Sequence, residues 1–203
     1  LDVTTAATVP LGTDARGRPI LLHHVARLAD VPVHLELPRP KFLLLVAMDA
    51  TKSMQKWPQE IFKRLPLLHA DATRVLGGGD LEILFIVFGD AKTDRRPIQV
   101  GRFGRGPELD GILASFDIDS CNGGGNGGES HELAAAYLQR QVDVSSARNV
   151  HAFFITDEPP FDQVDANECR THLGFDPSPE LRRTDALFAA LRRKMHVHAV
   201  LCE

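Results

Sequence analysis

Asp49, Thr51 and Ser53 carry oxygen-bearing side chains at alternate positions, directly after the apolar run 42–48. A loop that leaves the end of a strand can aim one carboxylate and two hydroxyls with this spacing at a single point. Hard oxygen donors of this kind suit Mg²⁺, Mn²⁺ or Ca²⁺ and not a soft metal. The spacing therefore predicts a divalent-cation site.

Two further acidic residues stand in loops that can meet the first one. Glu129 ends the glycine-rich stretch 121–129, and Asp157 follows the apolar stretch 150–156. In doubly wound sheets, ligands bind in the crevice beyond the carboxyl ends of the strands. We therefore expect Glu129 and Asp157 to lie near the Asp49 loop, at one edge of the sheet.

Hydrophobic periodicity indicates the elements that position these loops. Short apolar strands alternate with amphipathic helices, which is typical of an α/β domain. The strongest strands are continuously apolar, which indicates that both of their faces are covered. The pattern predicts a doubly wound, mostly parallel central sheet with helices on both faces and one short antiparallel edge strand. Strands are predicted at 42–48, 81–88, 98–103, 116–118, 150–156 and 197–201, and helices at 58–76, 107–115, 130–142, 166–172 and 181–194.

Residues 1–40 do not share this pattern. The stretch 31–37 alternates like a half-buried edge strand, and Pro32 and Pro38 argue against a central position in a sheet. A length of 203 residues fits one domain most simply. We expect 1–40 to be an N-terminal extension that packs on a domain spanning 41–203.

The three polar loops, in this order and context, resemble the von Willebrand factor type A domain, which is also known from integrins. The first loop matches the family's metal-ion-dependent adhesion site signature, Asp-x-Ser/Thr-x-Ser after the first strand. The glycine-rich loop is similar to the variant that ends in Glu, as in integrin β-subunit domains. Asp157 is similar to the family's later Asp after a hydrophobic strand. The resemblance covers about residues 41–202, and the three matches together are more specific than any one of them.

This resemblance implies a ligand set and a function. The site would hold a divalent cation, Mg²⁺ or else Mn²⁺ or Ca²⁺. The hydroxyls of Thr51 and Ser53 would coordinate it, and the carboxylates of Asp49 and Asp157 would act directly or through water. Glu129 would be the ligand from the second loop. A carboxylate of a partner protein would take the remaining position. The expected function is a metal-dependent protein-protein interaction module and not an enzyme, with an ATPase-containing assembly as one partner suggested by the resemblance. A metal-free interaction scaffold of the same fold is the alternative.

Each of these residues also has an ordinary structural explanation. Asp49 can simply end a strand, and Ser53 can cap the following helix. Asp157 precedes two prolines and can be a turn residue, while Glu129 can complement a helix dipole. Together these explanations need several coincidences at one edge of the sheet, so the metal site is the preferred interpretation.

Motifs for nucleotide binding and catalysis are incomplete. The glycines of 123–128 satisfy G-x-G-x-x-G, but the next strand-end acid, Asp157, lies 29 residues beyond the last of them, longer than the usual spacing of about 20. The stretch 131–135 begins like the zinc-protease H-E-x-x-H, yet Ala135 stands where the second histidine is needed. Haloacid-dehalogenase-type phosphotransferases need a second Asp where Thr51 stands. A Mg²⁺-dependent phosphotransferase or a nucleotide-binding domain is therefore a less favoured alternative.

A zinc site of the usual kind is not favoured either. Cys169 and His172 form one Cys-x-x-His pair, and His196 and His198 would share one face of a strand. No second pair accompanies them, whereas structural zinc sites need four ligands. Helix-surface and core histidines are the preferred explanation.

Composition excludes further classes of function. The net charge is −4 and no basic face is clustered, so nucleic-acid binding is not expected. The longest apolar runs, 42–48 and 83–88, are far short of the ~18 to 20 residues that span a bilayer, so no membrane insertion is expected. The three cysteines are widely spaced and odd in number, and no signal peptide is visible at the start. These features predict a reducing, cytoplasmic location.

Overall fold

The computed structural model describes residues 10–13, 19–21, 42–76, 80–121, 123 and 128–202. The predicted edge strand at 31–37 lies outside these residues, as does most of the predicted extension 1–40. In chain order the elements are β1 (Pro10–Thr13), β2 (Pro19–Leu21), β3 (Phe42–Asp49), α1 (Trp57–Val75), β4 (Leu81–Phe88), β5 (Ile98–Gly104), α2 (Glu108–Leu113), α3 (His131–Gln141), β6 (Asn149–Thr156), α4 (Ala166–Glu168), α5 (Thr184–Arg192) and β7 (His196–Leu201).

Five strands form one sheet in the order β5-β4-β3-β6-β7, and β1 pairs with β2 in a separate antiparallel sheet. β3 runs parallel to β4 and β6, and β6 runs parallel to β7. Only β5, at one edge of the five-stranded sheet, is antiparallel to its neighbour. Its orientation follows from the connection 89–97, because parallel strands need a crossover of a dozen or more residues. The predicted α/β fold class is confirmed.

Helices cover both faces of this sheet. Buried side chains of α3 and α5 pack with those of β3 on one face, and side chains of α1 and α2 pack with Val46 and the other side of the sheet. All eight residues of β4 are buried. Two covered faces explain why 42–48 of β3 and 83–88 of β4 are continuously apolar and do not alternate.

The predicted strand at 116–118 is wrong. Phe116 instead lies in a loop and packs beside α1 and α2, and a short 3-10 helix follows at Ile118–Cys121. Gln99 of β5 takes the place of a neighbouring strand for this segment. Its amide nitrogen donates to the Asp117 carbonyl at 2.8 Å, and its amide oxygen accepts from the Asp117 N–H at 2.8 Å. The Gln99 side chain therefore satisfies the backbone N–H and carbonyl of Asp117, which the predicted strand would have paired with a neighbouring strand.

The helix predicted at 166–172 is confirmed as a helical segment of two kinds, whereas the helix predicted at 181–194 is shorter than expected. α4 covers three residues and continues as one π-helical turn at Cys169–Leu173, which ends at Gly174 with a left-handed backbone, φ 77°. α5 begins at Thr184 and not at 181, since a separate 3-10 turn occupies Pro179–Leu181. The three cysteines are all free thiols. None of the described helices is both long enough and apolar enough to cross a bilayer.

Candidate metal centre

The first polar loop folds back on the end of its own strand. Asp49 is the last residue of β3, and its Oδ1 accepts hydrogen bonds from the Thr51 N–H at 2.8 Å and from the Thr51 hydroxyl at 2.7 Å. A short 3-10 helix, Lys52–Met54, then brings the Ser53 hydroxyl to 3.0 Å from Thr51 Oγ1. Because α1 begins only at Trp57, the explanation of Ser53 as its N-cap is wrong.

The third polar loop joins the first because β6 lies beside β3 and runs parallel to it. Ser53 Oγ donates to Asp157 Oδ1 at 3.2 Å. The Thr156 hydroxyl donates to Asp49 Oδ2 at 3.0 Å. A hydrogen-bonded chain therefore runs from Asp49 through Thr51 and Ser53 to Asp157, at the carboxyl ends of two neighbouring strands.

Backbone hydrogen bonds hold the second polar loop between the segments that follow β4 and β6. The Glu129 N–H donates to the Pro159 carbonyl at 3.2 Å, and Glu129 forms an isolated parallel bridge with Pro160. The next residue, Ser130, donates its N–H to the Gly89 carbonyl after β4 at 3.0 Å. Glu129 is thereby placed among the polar groups of the first loop, with only 1% of its surface exposed.

Burial and mutual repulsion dominate the electrostatics of this cluster. Burial raises the pKa of Asp49 to about 6, against hydrogen bonds from Thr51 and Thr156 that lower it, and the charge of Asp157 adds to the rise. Burial also raises the pKa of Glu129 to about 9. The negative charges of Asp49, Asp90 and Glu158 add to that rise, and a hydrogen bond with Thr51 opposes it.

Two residues that the sequence analysis did not single out contribute to the centre. Thr156 holds the second carboxylate oxygen of Asp49. Asp90 is fully buried just after β4, and its charge raises the pKa of Glu129. Asp90 follows the end of an apolar strand in the same way as Asp49 and Asp157, so the same sequence signal could have found it.

Asp90 belongs to a polar turn that also anchors the start of the glycine-rich stretch. Asp94 Oδ2 accepts from the Asp90 N–H at 2.7 Å, and Asp94 Oδ1 accepts from the Gly123 N–H at 2.5 Å. A Cβ at Gly123 would overlap the side chains of Thr93 and Asp94. Glycine is therefore required here for the close approach of the two loops.

The cluster suits a hard cation only if its hydroxyls take part. Within the described ranges, no three His, Cys, Asp or Glu side chains are placed so that they alone could hold a metal ion. Glu129 Oε2 is buried without a hydrogen-bond partner, and no Lys or Arg of the described chain forms an ion pair with Asp49, Glu129 or Asp157. Carboxyl oxygens without a positive partner, beside two hydroxyls, form a set of hard oxygen ligands that fits a divalent cation, which would favour the ionised form of the carboxyls.

The cluster is open on one side. Asp49, Thr51 and Glu129 are buried, whereas Ser53 is exposed and Asp157 is half-buried. An external group can therefore approach from the side of Ser53 and Asp157 without displacing the sheet.

His131 and Glu132, which begin the incomplete H-E-x-x-H motif, lie in the interior. His131 Nδ1 is 2.9 Å from the Glu129 carbonyl, its ring lies 4.7 Å from that of Phe88, and burial lowers its pKa to about 4. Glu132 is fully buried, and burial raises its pKa to about 8. His131 is a core histidine beside the centre.

Two of the three comparisons with known proteins find no match. No protein-family model matches it, and no curated protein matches it. Two crystal structures of the pilus adhesin SpaC from Lactobacillus rhamnosus GG match with TM-scores of 0.43 and 0.45 and identities of 11% and 12%. Each match covers 63% of this chain, which spans only 15% and 16% of the adhesin.

A third solved structure matches over a larger share of both chains. It is an aerotolerance-related membrane protein from Bacteroides fragilis NCTC 9343 with multiple mutations to serines. The TM-score is 0.42 and the identity is 13%, over 80% of this chain and 92% of that one. Similarities at this level carry no argument about function, which must come from the centre itself.

Proposed function

We propose that the cluster at the ends of β3 and β6 binds a divalent cation, Mg²⁺ in the first instance, and that the protein is a von Willebrand A-type interaction module. In this proposal the protein is not an enzyme. The bound cation presents an open position to an acidic side chain of a partner protein. The metal then supplies the positive charge that the protein's own residues lack at this place.

One observation carries the proposal. The hydrogen-bonded chain of Asp49, Thr51, Ser53 and Asp157 joins two loops that are far apart in sequence. A third loop brings Glu129, which is buried and interacts with Thr51 and Asp49. Strand-end turns or helix caps would not need to converge in this way. Burying carboxylates without a positive partner is also unfavourable. Several carboxylates are therefore expected to meet at one buried point where a bound cation compensates their negative charge.

The chain's own residues would share the work as follows. The hydroxyls of Thr51 and Ser53 are neutral donors, so they do not cancel the charge of the ion. Asp49 is held by Thr51 and Thr156, which supports its role in orienting the hydroxyls or a bound water. Glu129 adds a negative charge from the buried side and leaves the side of Ser53 and Asp157 for the partner's carboxylate.

Calorimetric titration of Mg²⁺ and Mn²⁺ into the full chain tests the metal site. We expect saturable binding to one site, which Ser53→Ala and Glu129→Ala abolish. Lys52→Ala is the matched control, because Lys52 shares the exposed 3-10 turn with Ser53 but donates no oxygen, and it should leave affinity unchanged. Absence of binding, or equal binding by the Ser53→Ala variant, would reject the metal site.

Partner binding is tested separately with acidic peptides immobilised on a surface. Retention of the protein should need Mg²⁺, should be removed by EDTA, and should be lost with Ser53→Ala but kept with Lys52→Ala. Retention that survives EDTA and the substitution would favour a metal-free scaffold. An ATPase-containing assembly as the natural partner and a cytoplasmic location stay predictions, for which affinity capture and cell fractionation are the measurements.

A further inference from the structure

Three histidines lie together on the sheet, away from the oxygen cluster. In the register of β6 and β7, His151 is opposite His196 and Phe153 is opposite His198. Alternate residues of a strand point to the same face, so His151 and His198 are diagonal neighbours on one face, and His196 stands beside both.

The rings of these residues are in direct contact. His151 Nδ1 lies 3.1 Å from His198 Nε2. The His196 ring stacks on the His151 ring with 4.8 Å between centroids and 23° between planes. The Phe153 ring stacks on that of His198 at 4.6 Å. Each ring of the close pair is thus supported on a face, while the two nitrogens face each other.

The pair is accessible and suited to coordination. His196 and His198 are exposed and His151 is half-buried. Burial, together with the neighbouring His196 and His198, lowers the pKa of His151. Metal coordination needs neutral imidazole, so this environment favours the form that binds a metal ion.

The separation of the two nitrogens matches one shared ion. Zinc bonds imidazole nitrogen at about 2.0–2.1 Å, which places two nitrogens of a tetrahedral site about 3.3 Å apart. The observed 3.1 Å is a hydrogen bond between two rings whose planes lie 11° apart, so in the proposed site the ion replaces the shared proton and both rings turn until their lone pairs converge on it. No third His, Cys, Asp or Glu of the described chain converges on the same point as the side chains stand, so the arrangement is a two-ligand site completed by water.

We propose that His151 Nδ1 and His198 Nε2 form a second metal site that takes a borderline transition-metal ion, Zn²⁺ or Cu²⁺. Imidazole nitrogen suits these ions, whereas Mg²⁺ and Ca²⁺ prefer oxygen. The site is independent of the oxygen cluster and does not rest on the function proposed for it. The sequence shows the pair His196 and His198 but not the nearby ring of His151, which reaches them only through the pairing of β6 with β7.

The test is titration of Zn²⁺ and Cu²⁺ into the full chain in excess Mg²⁺, which occupies oxygen ligands and not the nitrogen pair. We expect one nitrogen site with affinity for Cu²⁺ above that for Zn²⁺. His151→Phe and His198→Phe keep a stacking ring but remove the ligand atom, and each should weaken binding at least about tenfold. His196→Phe keeps the stack on His151 and removes no ligand atom, so it should change affinity far less than either ligand substitution.

A second readout reports on the ligand atoms themselves. In ¹⁵N NMR spectra of the histidine rings, Zn²⁺ should shift Nδ1 of His151 and Nε2 of His198, and leave the ring of His69 on α1 unchanged. His198→Gln, on the exposed edge strand, replaces the Phe variant if the latter fails to fold by circular dichroism. Unchanged affinity in the His151 and His198 variants, or a loss confined to His196→Phe, would overturn the assignment.

Discussion

Replacing Glu129 by Gln should stabilise the fold without a divalent cation and should lose most of that advantage when the cation is bound. Glu129 is buried, and its pKa is raised to about 9 by burial and by neighbouring acids. At neutral pH the folded chain therefore keeps its carboxyl protonated, whereas the unfolded chain ionises it. Folding then takes up a proton, so the free energy of unfolding falls as the pH rises from about 4.5 to about 9. Gln does not ionise and removes this loss.

The size of the effect follows from the shift. Between the ordinary value of 4.5 and pH 7 lie about 2.5 pH units, and each unit corresponds to about 1.4 kcal/mol. Glu129→Gln should thus raise the free energy of unfolding at pH 7 by up to about 3 kcal/mol in EDTA. The gain should shrink towards zero near pH 4.5. This is an upper limit, since nearby carboxyls such as Asp49 share the same protons.

Magnesium should act against this gain. At a concentration of about 100 Kd, a ligand that binds only the folded chain stabilises it by about 2.7 kcal/mol. The native protein should gain this amount, and Glu129→Gln, which lacks the charged ligand, should gain much less. The stability advantage of the variant in EDTA should therefore nearly disappear in Mg²⁺.

Urea unfolding followed by circular dichroism, at pH 5 and pH 7 with EDTA or Mg²⁺, measures both effects. Glu108→Gln, on the exposed side of α2, is the control and should change stability by less than about 0.5 kcal/mol. A Glu129→Gln variant less stable than the native protein in EDTA at pH 7 would refute the electrostatic reasoning. Equal stabilisation of both proteins by Mg²⁺ would refute the role of Glu129 as a ligand.

Four further substitutions, one of them a control, test the fold. Glu132 is fully buried, and its pKa is raised to about 8, so the free energy of unfolding should fall as the pH rises from about 4.5 to about 8. Glu132→Gln should flatten this dependence in a pH series of urea midpoints. An unchanged slope of midpoint against pH would contradict this. Leu45 is 0% exposed, and Leu45→Ala should cost about 2–5 kcal/mol, whereas Leu67→Ala, at a site 64% exposed, should cost less than about 0.5 kcal/mol. Gln99→Ala removes both hydrogen bonds to the Asp117 backbone and should cost about 1–3 kcal/mol in the same assay.

Long apolar runs predicted the elements of the fold well, because burial on both faces leaves a strong pattern. The strand at Leu81–Phe88 has the predicted bounds. The prediction of a strand at 116–118 is wrong because three residues with two apolar side chains do not distinguish a strand from a loop that packs on the core. The side chain of Gln99, which replaces the strand partner, is visible only in the structure.

The candidate centre was predictable in part for a related reason. Residues Asp49, Thr51 and Ser53 are close in sequence, so the covalent chain itself keeps their oxygens within reach of one another. That Glu129 and Asp157 join them was an inference from the general behaviour of parallel sheets. Their actual distances, and the contributions of Thr156 and Asp90, depend on how the loops pack.

What the sequence determined by itself is therefore local: an α/β pattern, the apolar strands and an oxygen-rich loop after the first strand of the main sheet. Tertiary structure decided which distant residues meet. β6 lies between β3 and β7. Asp157, just after β6, therefore reaches the Asp49 loop at the end of β3, and His151 of β6 reaches His198 of β7. Tertiary structure also decides the protonation states of Asp49 and Glu129, because burial and neighbouring charges shift their pKa values from those usual for the residue type.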